Sequence, residues 1–236
     1  MSNGISSTFF LAILIVLGGC DLGAAPQRAP GIVADAPQSQ PPSVRFGLDP
    51  ARHRVWFLTR DGVSVYDVAK SERTLVPLPS WLWVDAPSAC LPDLALGPKG
   101  EAVITSNVVP TLWRIDPETL AVSVHPLRLD SDADKDVGFS GLVYSSEHEA
   151  FFAVSDVHGS LWRIDRGLER ARKIWLSAPV PKACGLAVLP RILRQQTNRR
   201  VELCVHALQG GWAVDFEPGQ RSAYVTAAPC ADRGRS

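Results

Sequence analysis

An all-β fold built from repeats is what this sequence predicts, and three observations carry that prediction. The pentapeptide LWRID stands at 112–116 and again at 161–165, in a chain of 236 residues without low complexity. Aspartates recur at Asp67, Asp116, Asp165 and Asp215, spaced 49, 49 and 50 residues apart. Between them lie short runs rich in Val, Leu, Ile and Trp, punctuated by Gly, Pro, Asn and Asp, which is strand-and-turn chemistry. No segment after residue 43 sustains a helical period over three turns. Four-stranded units repeating every 40–50 residues, roughly, are the signature of a β-propeller.

The elements follow in order. The first unit begins with FGLDPARHRVWFLTRDGVSVYDV (46–68). In the second, DLALGPKGEAVI (93–104) and SNVVPTLWRIDPETL (106–120) align with GLVYSSEHEAFF (141–152) and SDVHGSLWRIDRGLE (155–169) of the third. The fourth runs through 185–216. Strands in the second unit are expected at 91–96, 101–106, 111–116 and 121–127, and RGLERARKIWL (166–176) occupies a fourth-strand slot in the third. Four units of about 49 residues thus fill a propeller domain over 43–236.

The repeated pentapeptide reads as a packing device. Each third strand needs a large residue to fill the wedge between neighbouring blades. Trp113, Trp162 and Trp212 supply it, and Ser64 holds the equivalent place in the first unit. The aspartates that close these strands are suited to bond turn N–H groups, as Asx turns do.

LWRIDPETL (112–120) resembles the YRIDPETG phrase of bacterial propellers of the NHL, quinoprotein and gluconolactonase kinds. The resemblance implies a fold, not an activity. Those relatives usually carry six to eight blades. Four units imply either a compact closed ring or a larger ring shared by two chains, and the closed monomer is the expectation.

The start of the chain carries a different signal. FFLAILIVL (Phe9–Leu17) is an apolar run of nine residues. That is too short for the ~20 a spanning helix needs and suits a signal-peptide core. It runs into LGGC, which resembles the lipobox of bacterial lipoproteins. The resemblance implies a signal peptide over 1–19, cleavage before Cys20 and acylation of the Cys20 thiol. Residues 1–8 depart from the pattern in lacking Lys and Arg, and an ordinary signal peptide or short anchor is the alternative. Residues 20–42, rich in Pro, Ala and Gln, bury too little to order themselves and read as a lipidated tether. The domain would then sit in the bacterial cell envelope, membrane-anchored and facing the periplasm or the exterior. Asp21 resembles an inner-membrane retention signal.

Composition excludes some partners. Lys plus Arg equals Asp plus Glu at 24 each, so no long-range field favours nucleic acid or an anionic membrane surface. The chain has no nucleotide loop, Gly-x-Ser-x-Gly elbow, His-Glu-x-x-His or Cys-x-x-Cys. No catalytic residue and no cofactor is therefore named.

Topology still indicates where a site would lie. Turns between second and third strands share one end of a propeller with the crossovers between units. That end carries Arg60, Asp61, Asn107, Asp156, His158 and Gln209, with the crossovers SWLWVDAPSAC (80–90) and DSDADKDV (130–137). Trp81 and Trp83, two apart, face the same way in an extended segment. They serve either as a cap on the core or as an aromatic anchor for a partner. The alternating Asp130, Asp132, Asp134 and Asp136 mimic a calcium loop, but Lys135 stands where the EF-hand needs Gly and Gly141 replaces its Glu. They read as a solvated acidic loop.

Asn107 and Asp156 resemble part of the metal-holding set of gluconolactonase-type propellers, which implies calcium as a possible cofactor. A further acidic ligand is not identifiable. Beyond Cys20, the cysteines are Cys90, Cys184, Cys204 and Cys230, an even set that suggests disulfides in an exported chain. Three connectivities are possible. Cys184 with Cys204, on adjacent strands, and Cys90 with Cys230 is the expected one; buried free thiols are the alternative. The reading that results is a lipid-anchored, non-catalytic propeller that binds an envelope protein or a small ligand. The alternative is a small metal-dependent hydrolase of the lactonase kind.

Overall fold

The computed structural model describes residues 45–86, 89–130, 138–180, 182–188, 201–207, 210–216 and 222–227. The signal peptide, Cys20, the tether, the 131–137 acidic run, Gln209 and Cys230 lie outside the described residues. The described chain is all-β, relieved by one 3-10 turn at Pro50–Arg52.

Its strands fall into consecutive antiparallel sets. The first sheet contains β1 (Phe46–Asp49), β2 (Arg54–Thr59), β3 (Gly62–Asp67) and β4 (Glu72–Val76) in chain order. The second contains β5 (Leu94–Leu96), β6 (Ala102–Ile104), β7 (Thr111–Ile115) and β8 (Val122–Pro126). After the short β9 (Arg128–Leu129) comes a third set, β10 (Gly141–Ser145), β11 (Ala150–Ser155), β12 (Ser160–Asp165) and β13 (Arg170–Leu176). The fourth is β14 (Ala183–Val188), β15 (Val201–Ala207), β16 (Gly210–Phe216) and β17 (Ser222–Ala227). The third and fourth sets are joined at their outer edges, where β13 runs parallel to β17 through Trp175–Ser222 and Leu176–Ala223. β9 also runs parallel to β13, so the crossover that precedes the third set adds to its edge.

Side chains alternate across each strand, so each sheet buries two faces where it has two neighbours. Trp56, Leu58, Val63 and Val65 of the first sheet pack on Ile104, Trp113 and Ile115 of the second. Val103 and Leu112, on the second sheet's other face, meet Phe151, Trp162 and Ile164 of the third. Phe152 and Leu161 then meet Leu203, Val205, Val214 and Phe216 of the fourth. A closed ring of four would need a fourth cluster between the last sheet and the first. Among the described residues there is none. The link between those sheets is polar: Arg45, just before β1, donates to the Cys184 carbonyl of β14.

The wedge role holds where the sheets stack. Trp113 and Trp162 are fully buried, and their indole N–H groups donate to the Pro79 carbonyl at 2.9 Å and to Ser160 Oγ at 3.0 Å. Trp212 is half-buried against the third junction. In the first sheet the large buried residue is Trp56, on β2 and on the face opposite Ser64.

The turn role of the aspartates also holds. Asp116 Oδ1 accepts from the N–H groups of Glu118 at 2.9 Å and Thr119 at 2.8 Å. Asp165 Oδ1 accepts from Glu169 at 3.1 Å and Arg170 at 2.6 Å, and Asp67 from Lys70 at 3.1 Å. The turn following Asp215 lies outside the described residues. Hydrogen bonds from the Thr119 N–H and hydroxyl hold the Asp116 carboxyl below the usual carboxylate range, and the Lys70 N–H does the same for Asp67. A lowered folded pKa contributes stability above the unfolded pKa that is lost as pH falls through the folded value. Asp116→Ala and Asp165→Ala should therefore lower the urea midpoint by similar, modest amounts at neutral pH. For Asp116→Ala the gap from wild type should close in acid. A gap that persists or widens in acid would remove the turn bonds as its cause.

Candidate functional site

The crossover between the first and second sheets, residues 77–93, lies over the end of the molecule where second-to-third-strand turns gather. Its central part, 81–86, is extended, and its side chains alternate between half-buried and exposed. Trp81 and Trp83 point to the same side and stack at 5.5 Å between ring centroids. Trp81 packs against the first core cluster and donates its indole N–H to the Thr105 carbonyl at 2.9 Å. It is thus a cap on the core. The outward positions are Leu82 and Val84, 58% and 48% exposed.

Three clamps hold this strap. Ser106 Oγ donates to the Leu82 carbonyl at 2.5 Å. The Asn107 side chain acts as a splint: its Oδ1 accepts from Val84 N–H at 2.9 Å, and its Nδ2 donates to the carbonyls of Val84 at 2.8 Å and Cys90 at 2.9 Å. Asp156 Oδ2, from the turn of the third sheet, accepts from Cys90 N–H at 3.1 Å. Asn107 and Asp156 do converge, but on the two sides of one peptide segment. Their polar atoms hold backbone. Among the described residues no group of three or more His, Cys, Asp or Glu side chains could hold a metal ion.

The covalent clamp corrects the expected pairing. Cys90 is bonded to Cys184, with Cα atoms 4.9 Å apart. Cys184 therefore does not pair with Cys204, nor Cys90 with Cys230. Cys184 lies in β14 and Cys204 in β15, opposite Ala187, so the adjacent strands do not bring the two thiols into register. The crossover carries Cys90 over instead. Cys204 is also disulfide-bonded, to a partner outside the described residues.

The remaining predicted residues flank the strap. Arg60 forms an ion pair with Asp85 on it, while Asp61 and His158 are exposed on their turns. Val157, beside His158, is 68% exposed and adds an apolar group to this end. Gly159 ends that turn at φ +58, and a Cβ there would lie 2.5 Å from the Val180 carbonyl, which requires glycine. Ser140 of the GFSG sequence is buried and donates to the Ala183 carbonyl at 2.5 Å.

Two features have no counterpart in the sequence reading. Near the centre, buried Asp93 accepts from Leu94 N–H and Leu142 N–H, each at 2.9 Å, and pairs with Arg45 at 3.7 Å. Burial pushes its carboxyl above the usual range, and Arg45 opposes the shift. At the opposite end from the strap is a cleft of about 730 Å³ whose lining includes Arg52, Lys99, Arg114 and Arg166. Arg52 is occupied by Asp49 and Glu118, whereas the buried Arg114 Nε has no partner. Such a cleft can neutralise part of a small anion. No motif marked it, because its lining comes from three sheets.

No family model matches the sequence, and no curated protein matches it. Among solved structures, dihydro-heme d1 dehydrogenase NirN aligns over 80% of this chain and 37% of its own, at 15% identity and a TM-score of 0.52. Virginiamycin B lyase from Staphylococcus aureus aligns over 79% of this chain and 55% of its own, at 14% identity and a TM-score of 0.52. An auxiliary nutrient binding protein from Bacteroides thetaiotaomicron aligns over 80% of this chain and 43% of its own, at 11% identity and a TM-score of 0.54. The chain therefore spans between 37% and 55% of the length of these structures. What it shares with them is architecture: this is a propeller-type, all-β fold.

Proposed function

We propose that this chain is a non-catalytic binding module of the bacterial cell envelope, four blades of about 49 residues on a lipidated Cys20 tether, taking a protein partner across the 81–86 strap. The supporting observation is the strap's construction. Leu82 and Val84 are held outward on a segment fixed by Ser106, Asn107, Asp156 and a disulfide. A surface that is already rigid loses little entropy when it binds. Apolar side chains over a stacked aromatic base, rimmed by the Arg60–Asp85 pair, form the usual layout of an interface centre. Proteins that share the fold include a lyase and a nutrient-binding protein, so fold leaves the class open and the site must decide. Asn107 spends its amide on the strap, which favours binding over metal-dependent hydrolysis.

The test is capture from envelope extract with the full chain as bait. Leu82→Ser/Val84→Ser removes exposed groups, so the fold should survive while partner recovery falls at least tenfold. Cys20→Ser should release the protein from membranes. Undiminished recovery by the folded double variant would end the strap reading. Stoichiometric calcium uptake, abolished by Asp156→Asn, would replace it with the hydrolase.

A further inference from the structure

We propose that the outer face of the first sheet is a dimer interface that packs against the same face of a second copy of this chain. The register assigns the residues. Phe46 lies opposite Phe57, Phe57 opposite Ser64, and Ser64 opposite Leu75, one row across all four strands. Leu48, Val55 and Tyr66 form the next row on that face. The sheet's other face, with Trp56 and Val65, is buried in the first core cluster. On the outer face Phe46 is 60% exposed, Leu48 61% and Leu75 50%. In the second and third sheets the equivalent face carries Trp113 or Trp162 and is covered by the sheet before it. The first sheet has no predecessor.

Its chemistry selects the occupant. Ser64 replaces the wedge tryptophan, and Arg73 Nε donates to its hydroxyl at 2.5 Å, so the centre of the face is flat and its polar group is satisfied. A flat apolar sheet face packs on another such face, about 10 Å away. Head-to-tail continuation onto the fourth sheet of a second copy is blocked. Cys204 and Ala213 lie opposite each other on the outward side of that sheet and are only 2% and 6% exposed, so it is already covered. Among the described residues the flat apolar face has one match, which is itself. Self-matching gives a closed two-fold pair and no fibre.

The experiment is native mass spectrometry of the full chain released in detergent, with sedimentation at matched concentrations. The wild type should run at twice the 25.5 kDa chain mass, allowing for processing and lipid. Leu48→Asp/Leu75→Asp should be monomeric with an unchanged circular dichroism spectrum. Should that variant misfold, Phe46→Ala/Leu75→Ala removes the same contacts without adding charge and should raise the dimer dissociation constant at least tenfold. Leu82→Ser/Val84→Ser, at the strap, should leave the dimer intact, which separates this interface from the partner surface. A wild type that stays monomeric at tens of micromolar overturns the proposal, whatever else co-purifies. So does a dimer that survives either folded variant of the first sheet.

Discussion

Trp162→Ala should cost about 3–5 kcal/mol, the range for truncating a large aromatic in a well-packed core. Trp162 is fully buried at the junction of the second and third sheets, edge-on to Phe139 at 6.3 Å between ring centroids. Its indole N–H donates to Ser160 Oγ at 3.0 Å, so truncation also leaves a buried hydroxyl without that donor. The cavity cannot relax easily, since Leu112, Phe151 and Ile164 around it are held by strands on both sides. Domains of this size hold about 5–15 kcal/mol in total, so the variant should unfold far earlier in urea. Trp212→Ala, at a half-buried copy of the position, should lose clearly less. Equal losses at the two sites would mean that burial at the sheet junction does not set the cost.

That contrast bears on what the sequence could reveal. The repeat of LWRID and its aspartates exposed strand order and turn chemistry, because both are local: a turn carboxylate finds its N–H groups within five residues. The strap was legible as a place, and the common direction of Trp81 and Trp83 followed from alternation alone. Burial of whole sheet faces was not legible. Phe46, Leu48 and Leu75 read as core residues, and would be if another sheet preceded the first; their exposure depends on a neighbour that the sequence does not supply. Trp56 was missed because it sits on the strand before the repeated pattern, and Asp93 because its partners are 48–49 residues away on other units. Asn107 and Asp156 were grouped correctly, for the wrong ligand. Turn residues near an axis suggest a cation, but here a crossover peptide passes between them and takes their polar atoms.

Removing the strap's covalent clamp should have an effect of comparable size. The Cys90–Cys184 bond joins positions 94 residues apart. In the chain-entropy account, opening a loop of that length costs about 4–5 kcal/mol, and measured losses for native bonds run at about 2–5 kcal/mol. Cys90→Ser/Cys184→Ser should therefore lower the urea midpoint strongly while the strand content stays native. Asn107 and Asp156 still hold Cys90 through its carbonyl and N–H, so the strap should loosen and not detach. Amide exchange distinguishes the two: Val84 N–H, bonded to Asn107 Oδ1, should exchange faster in the double variant, while amides of β11 and β12 exchange at rates set by the global loss alone. Partner capture should weaken with it, since Leu82 and Val84 would lose their fixed positions. A double variant within about 1 kcal/mol of wild type, with Val84 exchange unchanged, would show that the hydrogen-bonded splint suffices and that the disulfide is incidental to the site.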